Sequence, residues 1–335
     1  MFALATLAPA LLIAFGALFG GIWCYAALLS VSVIVAGLDT LVTRLRPAGA
    51  DEEFPADRAL LVAIAVATFA VLGLTTLALS TGGHATSEKI ALFVATGLFA
   101  GQVGNANAHE LIHKRTRALH RLGVWVYVAM LFGHHASAHL HVHHTRAATR
   151  ADPNTSRLGE SYYRFVARAW LGSFRDGLAA ERLRIARGGC SRWQNPYVTY
   201  ICGAVVLCSL AFFAGGVSGL LAYIALAVFA QQQLLLCDYV QHYGLLRKTD
   251  QAGKAEPIAA QHSWNSPHWY SSAFMLNAPR HSDHHACPAR GYTALRLPDD
   301  GPMLPSSLPL MACLALFPGL WRRVMDPRAA VWQTE

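Results

Sequence analysis

Six apolar stretches constrain this 335-residue chain more than any other feature: approximately Leu7 to Gly20, Ile22 to Leu41, Leu60 to Leu79, Ile90 to Ala106, Tyr197 to Gly216 and Gly219 to Val240. Crossing a hydrocarbon core of about 30 Å takes roughly 20 helical residues. Lipid offers no partner for a free backbone N–H or C=O, so segments of this composition cross as helices. The pattern predicts an all-α integral membrane protein of six transmembrane helices in three hairpins, one domain over residues 1–335. Composition agrees, with 54% hydrophobic and 14% charged residues, outside the range of a soluble globular domain. The first stretch is the shortest. It has no basic lead and runs at once into a second span, so it does not read as a removable signal.

Basic residues give the expected orientation. Three Lys and Arg fall between Arg44 and Arg58, fourteen between Lys114 and Arg192 and nine from Arg247 onward, leaving only Lys89 elsewhere. Short cytoplasmic loops collect such residues, so both termini and the polar regions 107–195 and 241–335 are expected on the cytoplasmic side. The formal charge of +8 then reports topology and contact with acidic lipid heads rather than nucleic acid. Two shorter apolar runs, Val124 to Phe132 and Leu308 to Phe317, are about half a span long. They read as buried or interfacial helices, the second followed by Pro318, Trp321, Arg322 and Arg323.

The seven cysteines, Cys24, Cys190, Cys202, Cys208, Cys237, Cys287 and Cys313, form no C-x-x-C pair. No disulfide framework or thiolate iron site is expected, and no G-x-G-x-x-G fingerprint marks a bound nucleotide. Any redox chemistry must draw its electrons from outside the chain.

Of sixteen histidines, nine lie between His109 and His144 and six between His242 and His285. His109-Glu110-Leu-Ile-His113 places two imidazoles at i and i+4 on one helical face. The H-E-x-x-H run of zinc proteases offers a comparable pair beside a single zinc. The run His139-Leu-His141-Val-His143-His144 adds imidazoles at i, i+4 and i+5, and His281-Ser-Asp-His284-His285 adds i, i+3 and i+4. These eight candidates exceed the three or four ligands of one zinc, so two metal ions are the economical interpretation, and imidazole without thiolate suits iron. All three clusters follow predicted span ends, which puts one site at the membrane boundary.

These residues resemble the membrane-bound alkane 1-monooxygenases, within the wider group of membrane fatty-acid desaturases and hydroxylases. The resemblance rests on His109 to Lys114 (HELIHK), the His139 to His144 cluster, Asp152 to Glu160 (DPNTSRLGE), His242 to Leu246 (HYGLL), His262 to Ser266 (HSWNS) and Arg280 to Ala286 (RHSDHHA). It covers roughly Ile22 to Trp332 and implies six membrane helices with a cytoplasmic catalytic cap. It implies metal ligands at His109, His113, His139, His143, His144, His281, His284 and His285, with His242 as a ninth, and no catalytic side chain beyond the metal site. It further implies two non-haem iron ions, O2 as co-substrate and no haem. The expected reaction inserts one oxygen atom of O2 into a terminal C–H bond of an alkane-like chain to give a primary alcohol. Electrons would come from a separate rubredoxin and its NADH-dependent reductase, at a bacterial-type inner membrane. The basic surface from Arg146 to Arg192 could dock such an acidic partner.

Glu110, Asp283, His262, His268, Gln241 and Asp238 are candidates to orient the ligand imidazoles. Three positions depart from the family pattern. Ala138 precedes His139 where glutamate is common, Gln241 replaces a glutamate before His242, and Asp238 replaces an asparagine. His120 and His141 read as solvated or supporting, His134 and His135 as helix-capping or site-supporting, and His84 as a loop residue. Asp39, near the end of a span, fits either a functional charge or snorkelling to the interface. The rival activities are hydroxylation of an aromatic methyl group, as in xylene monooxygenases, or of a fatty-acyl or terpenoid chain. A histidine-rich metal transporter would place its ligands in mid-span, and a haem electron carrier would need facing histidines on spanning helices. The clusters at span ends match neither.

Overall fold

The computed structural model describes residues 1–45, 58–189 and 191–334, so Arg46 and Cys190 lie outside the described residues. Among the described residues there are helices, turns and two isolated bridges, Thr249 with Ala255 and Asn265 with Met303, but no strand.

Helix α1 (Phe2–Phe19) turns into α2 (Ile22–Ser30) through Gly20 and Gly21, at φ 65° and 61°. Two successive positive φ values suit residues without a Cβ. Helix α3 (Val33–Leu45) continues α2 after a bend of 41°. The bend lies where Ser30 and Ser32 turn their hydroxyls onto the carbonyls of Ala27 and Leu28, which competes with the helical ladder. Helix α4 (Arg58–Ser80) is uninterrupted and apolar. Helix α5 (Thr86–Phe99) begins where Glu88 reaches back to the Ala85 N–H, and its other carboxylate oxygen accepts the Gly21 N–H. A π-helical turn, Ala100–Gly104, joins α5 to α6 (Asn105–Ile112), so one rod carries the fourth apolar stretch directly into the first histidine pair.

Helix α7 (Arg117–Ala129) packs on α6, and α8 (His134–Ala138), a second π turn (His139–His143) and α9 (His144–Arg146) follow. Helix α10 (Tyr162–Arg187) packs across α8 and α11. The fifth and sixth apolar stretches lie in one long element, α11 (Pro196–Gln241), broken only at Gly216, whose φ of 62° and ψ of −153° interrupt the helix. The tail supplies α12 (Trp269–Phe274), α13 (His281–Ala286), α14 (Leu308–Ala315) and α15 (Pro318–Thr334). Pro318 opens α15, a position where its missing N–H costs nothing.

Helices α1, α4 and the bent pair α2–α3 are long and apolar enough to cross a membrane, and so is α11. They turn apolar residues outward, including Leu4, Ile22, Phe213 and Val217, each more than 60% exposed. Water does not tolerate so extensive an apolar face, whereas lipid does. The core lies between α1, α4, α5 and α11 and continues into the cap through Phe99, Tyr127, Phe132, Tyr239 and Trp264. The half-span Val124 to Phe132 is the C-terminal part of α7 and the turn after it, mostly buried but with Trp125 exposed.

Candidate metal centre

Each histidine run is bent by the element that carries it. On α6, His109 and His113 stand one turn apart. The π turn from His139 to His143 carries about one extra residue per turn, so His139, His143 and His144 fan out instead of stacking. Short α13 presents His281, His284 and His285, and His242 follows the last turn of α11.

The nine histidines converge as two groups. His109, His113, His139, His144 and His284 form the first, and His143, His242, His281 and His285 the second. Within each group the ring nitrogens nearest one another all lie within 4.8 Å. Both the His139 to His144 run and the His281 to His285 run divide between the groups. His143 enters the second while its neighbour His144 enters the first, and His284 enters the first while His281 and His285 enter the second.

The nitrogen spacing fits a cation. In the first group His144 Nε2 lies 2.9 Å from His139 Nε2 and 3.2 Å from those of His113 and His284. In the second, His281 Nε2 lies 3.0 Å from His242 Nε2 and from His285 Nε2. One ring proton cannot bridge four nitrogens. Imidazole nitrogens about 2.1 Å from a shared first-row cation and at right angles are about 3 Å apart, which accounts for the spacing. The H-E-x-x-H zinc pattern is met by His109 to His113, but three further histidines crowd that pair, more than one catalytic zinc takes.

Burial keeps these rings uncharged. Desolvation, reinforced by neighbouring histidines or Lys114, lowers His109, His139, His281, His284 and His285 far below the usual histidine range, His113 to about 4 and His242 to about 3. Neutral imidazole is the ligand form. His143 is the exception. Burial disfavours its charge, but the Asp152 carboxylate outweighs that and raises it.

The structure also locates the candidate orienting residues. Glu110 accepts from Lys114 and from the Tyr292 N–H at 3.2 Å, and Asp283 from Arg290 and from the Arg296 N–H at 2.8 Å. Both carboxylates therefore brace the tail segment that follows α13. Gln241 donates to the Ala278 carbonyl at 3.0 Å, and Asp238 accepts from Asn154 Nδ2 at 2.6 Å. His262 pairs with Glu256 at 3.1 Å, and His268 Nδ1 with Ser266 Oγ at 2.9 Å. Ala138 is buried, and its backbone lies against Gly177 of α10, where an added Cβ would come within 3.2 Å of the Ala138 nitrogen.

Of the remaining histidines, His134 packs among Phe132, Trp170 and Phe174, and His135 stacks on Phe132 beside His139. His120 Nδ1 bonds the Ile112 carbonyl at 2.7 Å, half-exposed His141 approaches Glu181, and His84 ties its loop to the Gly16 carbonyl at 3.0 Å.

One residue that histidine counting overlooks is Asp152. Its Oδ2 accepts from His143 Nδ1 at 2.9 Å and from Thr155 Oγ at 2.7 Å, and its Oδ1 from the Asn154 N–H at 3.1 Å. Asn154 then bridges to Asp238. An Asp-Pro turn eight residues after His144 was the available signal.

A chamber of about 40 Å³ touches both groups, lined by His109 and His139 from the first and His281 from the second. Asp238 and Gln241 give it a polar side, Leu234, Met275 and Leu308 an apolar one. A single water needs about 10–15 Å³ measured in this way, so the space suits a small molecule or the end of a chain.

Comparison with known proteins agrees with this geometry. The profile of the fatty acid desaturase family matches residues 89–300. The chain is 31% identical over 322 residues to alkane 1-monooxygenase 1 of Pseudomonas aeruginosa, covering 92% of this chain and 84% of that protein. It is 38% identical over 252 residues to alkane 1-monooxygenase 1 of Alcanivorax borkumensis, covering 73% of this chain and 61% of that longer protein. It is also 30% identical over 232 residues to the xylene/toluene monooxygenase hydroxylase component of Pseudomonas putida, covering 67% of this chain and 60% of that protein.

Proposed function

The chain belongs to the fatty acid desaturase family and, within it, to the alkane 1-monooxygenases, and from that premise we propose that it is a membrane-bound non-haem di-iron enzyme converting the terminal methyl of an alkane-like chain to a primary alcohol. The observation that carries this reading is the pair of imidazole groups facing one small chamber. His109, His113, His139, His144 and His284 would hold one iron, and His143, His242, His281 and His285 the other. Imidazole without thiolate fits iron. When bound, the two metals supply the redox chemistry that divides O2 between an alcohol oxygen and water.

The chain's own residues do the positioning. Asp152 accepts the Nδ1–H of His143, which fixes the tautomer and leaves Nε2 unprotonated toward the second group. Leu234, Met275 and Leu308 admit an apolar chain end and exclude water. The approach for that chain end is apolar and comes from the bilayer, which serves as the substrate's reservoir. Within one domain, α1, α2–α3, α4, the α5–α6 rod and the two halves of α11 give six crossings of an inner membrane. The basic residues then put the cap and both termini on the cytoplasmic side. Electrons arrive from a separate rubredoxin and its NADH-dependent reductase.

Cells co-expressing the chain with rubredoxin and its reductase, offered octane, dodecane and p-xylene, test the reading, with His281→Ala as control. Primary alcohol from an alkane, lost in the variant, is the expected result. Benzylic alcohol alone would move the assignment to aromatic methyl groups, the second reading that the xylene/toluene relative supports. No product from iron-loaded protein with an active electron supply would overturn both.

A further inference from the structure

A second cavity, of about 720 Å³, lies between α7, the far end of α10 and the first turn of α11. His120, Arg121, His141 and Arg184 line it together with Val124, Trp125, Leu140 and Tyr200.

The cavity straddles the level at which α11 becomes apolar. Asn195 caps that helix by accepting the Tyr197 N–H at 3.0 Å. One turn further on, the helix begins to expose Ile201, Val205, Val206 and Leu210. Two exposed tryptophans bracket this level. Trp193 precedes the helix, and Trp125 lies against Gly203, where an added Cβ would come within 3.1 Å of the indole. Tryptophan collects where headgroups meet acyl chains.

The one carboxylate in the lining is already matched. Glu181 accepts from Ser137 Oγ at 2.7 Å and from Arg184 at 2.8 Å, with His141 at 3.5 Å. Arg121 is exposed and takes no ion pair among the described residues. The cavity therefore offers cationic donors beside apolar and aromatic side chains, next to the apolar residues that α11 exposes.

We propose that this cavity binds one anionic glycerophospholipid, with its phosphate on Arg121 and the outer face of Arg184 and its acyl chains over Trp125, Leu140 and the exposed face of α11. Arginine binds phosphate through a rigid fork of donors, and anionic lipid is drawn to basic residues at the cytoplasmic surface. Ser137 and Leu140 lie within two residues of His139, so the lipid buttresses the π turn that carries candidate ligands of both groups. The inference rests on the chain spanning a membrane and is independent of the reaction it catalyses.

Native mass spectrometry of the purified full chain, exchanged into detergent with phosphatidylglycerol or phosphatidylcholine, tests it. Preferential retention of one phosphatidylglycerol is expected. Arg121→Ala should lower that retention about fivefold and leave phosphatidylcholine binding unchanged. Equal retention of the two lipids, or an unaltered Arg121→Ala, overturns the proposal. Displacement by inorganic phosphate at millimolar concentration would reveal a free-anion site and overturn the lipid, and stronger competition by palmitate would assign the site to a carboxylate amphiphile instead. Should Arg121→Ala fail to fold, quenching of tryptophan fluorescence in the unaltered chain by bromine-labelled phosphatidylglycerol, but not by its phosphatidylcholine counterpart, gives the same decision.

Discussion

His143 donates its Nδ1–H to Asp152 at 2.9 Å, and this contact joins the second histidine group to the turn after α9. Removing such a carboxylate partner costs about 10–100-fold in metal affinity or activity. Asp152→Asn should therefore weaken metal binding at the second group by that factor and leave the first nearly unchanged. Chelator competition on purified protein measures it. Wild-type retention of both metals in the variant would show that His143 needs no orienting partner.

The C-terminal helix holds the turn that carries His242. Tyr243 donates its hydroxyl to Asp326 at 2.6 Å, Gln333 Nε2 donates to the Gly244 carbonyl at 2.5 Å, and Trp264 Nε1 donates to the Tyr243 carbonyl at 2.9 Å. Asp326→Ala should cost about 1 kcal/mol of stability and loosen the second group, because one half of a largely buried hydrogen bond is lost. A lower thermal midpoint with a reduced metal content is expected. An unchanged midpoint would remove α15 from the account.

Packing in the bundle makes a paired prediction. A Cβ on Gly101 would lie 2.5 Å from Gln233 Cβ and 2.7 Å from the Ala230 carbonyl, whereas one on Gly73 meets nothing within 4 Å. Gly101→Ala should destabilise by about 1–3 kcal/mol through overpacking at the π turn. Gly73→Ala, in the interior of α4, should stabilise by about 0.5–1 kcal/mol through backbone entropy. Thermal midpoints of the two variants in one detergent are sufficient to compare them, and equal shifts would contradict the packing described.

Much of this was legible in the sequence, and the parts that were not share a physical reason. The apolar stretches all lie in helices, because lipid leaves no other way to satisfy the backbone. Spacing also pointed to eight of the clustered histidines, since i and i+4 neighbours share a helical face, whereas His242 was implied only by the family resemblance. Their division between two groups was hidden, because the π turn at His139 to His143 changes the angle between neighbours and pattern reading assumes a regular helix. The fusion of the last two stretches was hidden too, since the connection is only the dihedral break at Gly216. Asp39 shows the same limit over a longer distance. It is buried and accepts the Ser271 N–H at 2.8 Å, a partner 232 residues away that no local reading of a charge in a span reveals.

Acid should destabilise the cap through Glu181. Burial raises its pKa, but hydrogen bonds from His141, Ser137 and Arg184 outweigh that and hold it at about 2, below the ordinary 4.5. A depressed carboxylate pKa contributes stability that is complete above about 4.5 and is lost as pH falls toward 2. Glu181→Gln should flatten the dependence of the thermal midpoint on pH across that window, and an equally steep dependence in the variant would assign the acid sensitivity elsewhere.

Under the proposed function, the two histidine groups of this one chain hold two metal ions. Iron and zinc per chain, determined on purified protein together with the double variant His242→Ala, His285→Ala, test it most directly. Two irons per chain, falling to one in the double variant, is the predicted result. A single zinc with no iron, or an unchanged metal count in the variant, would contradict it.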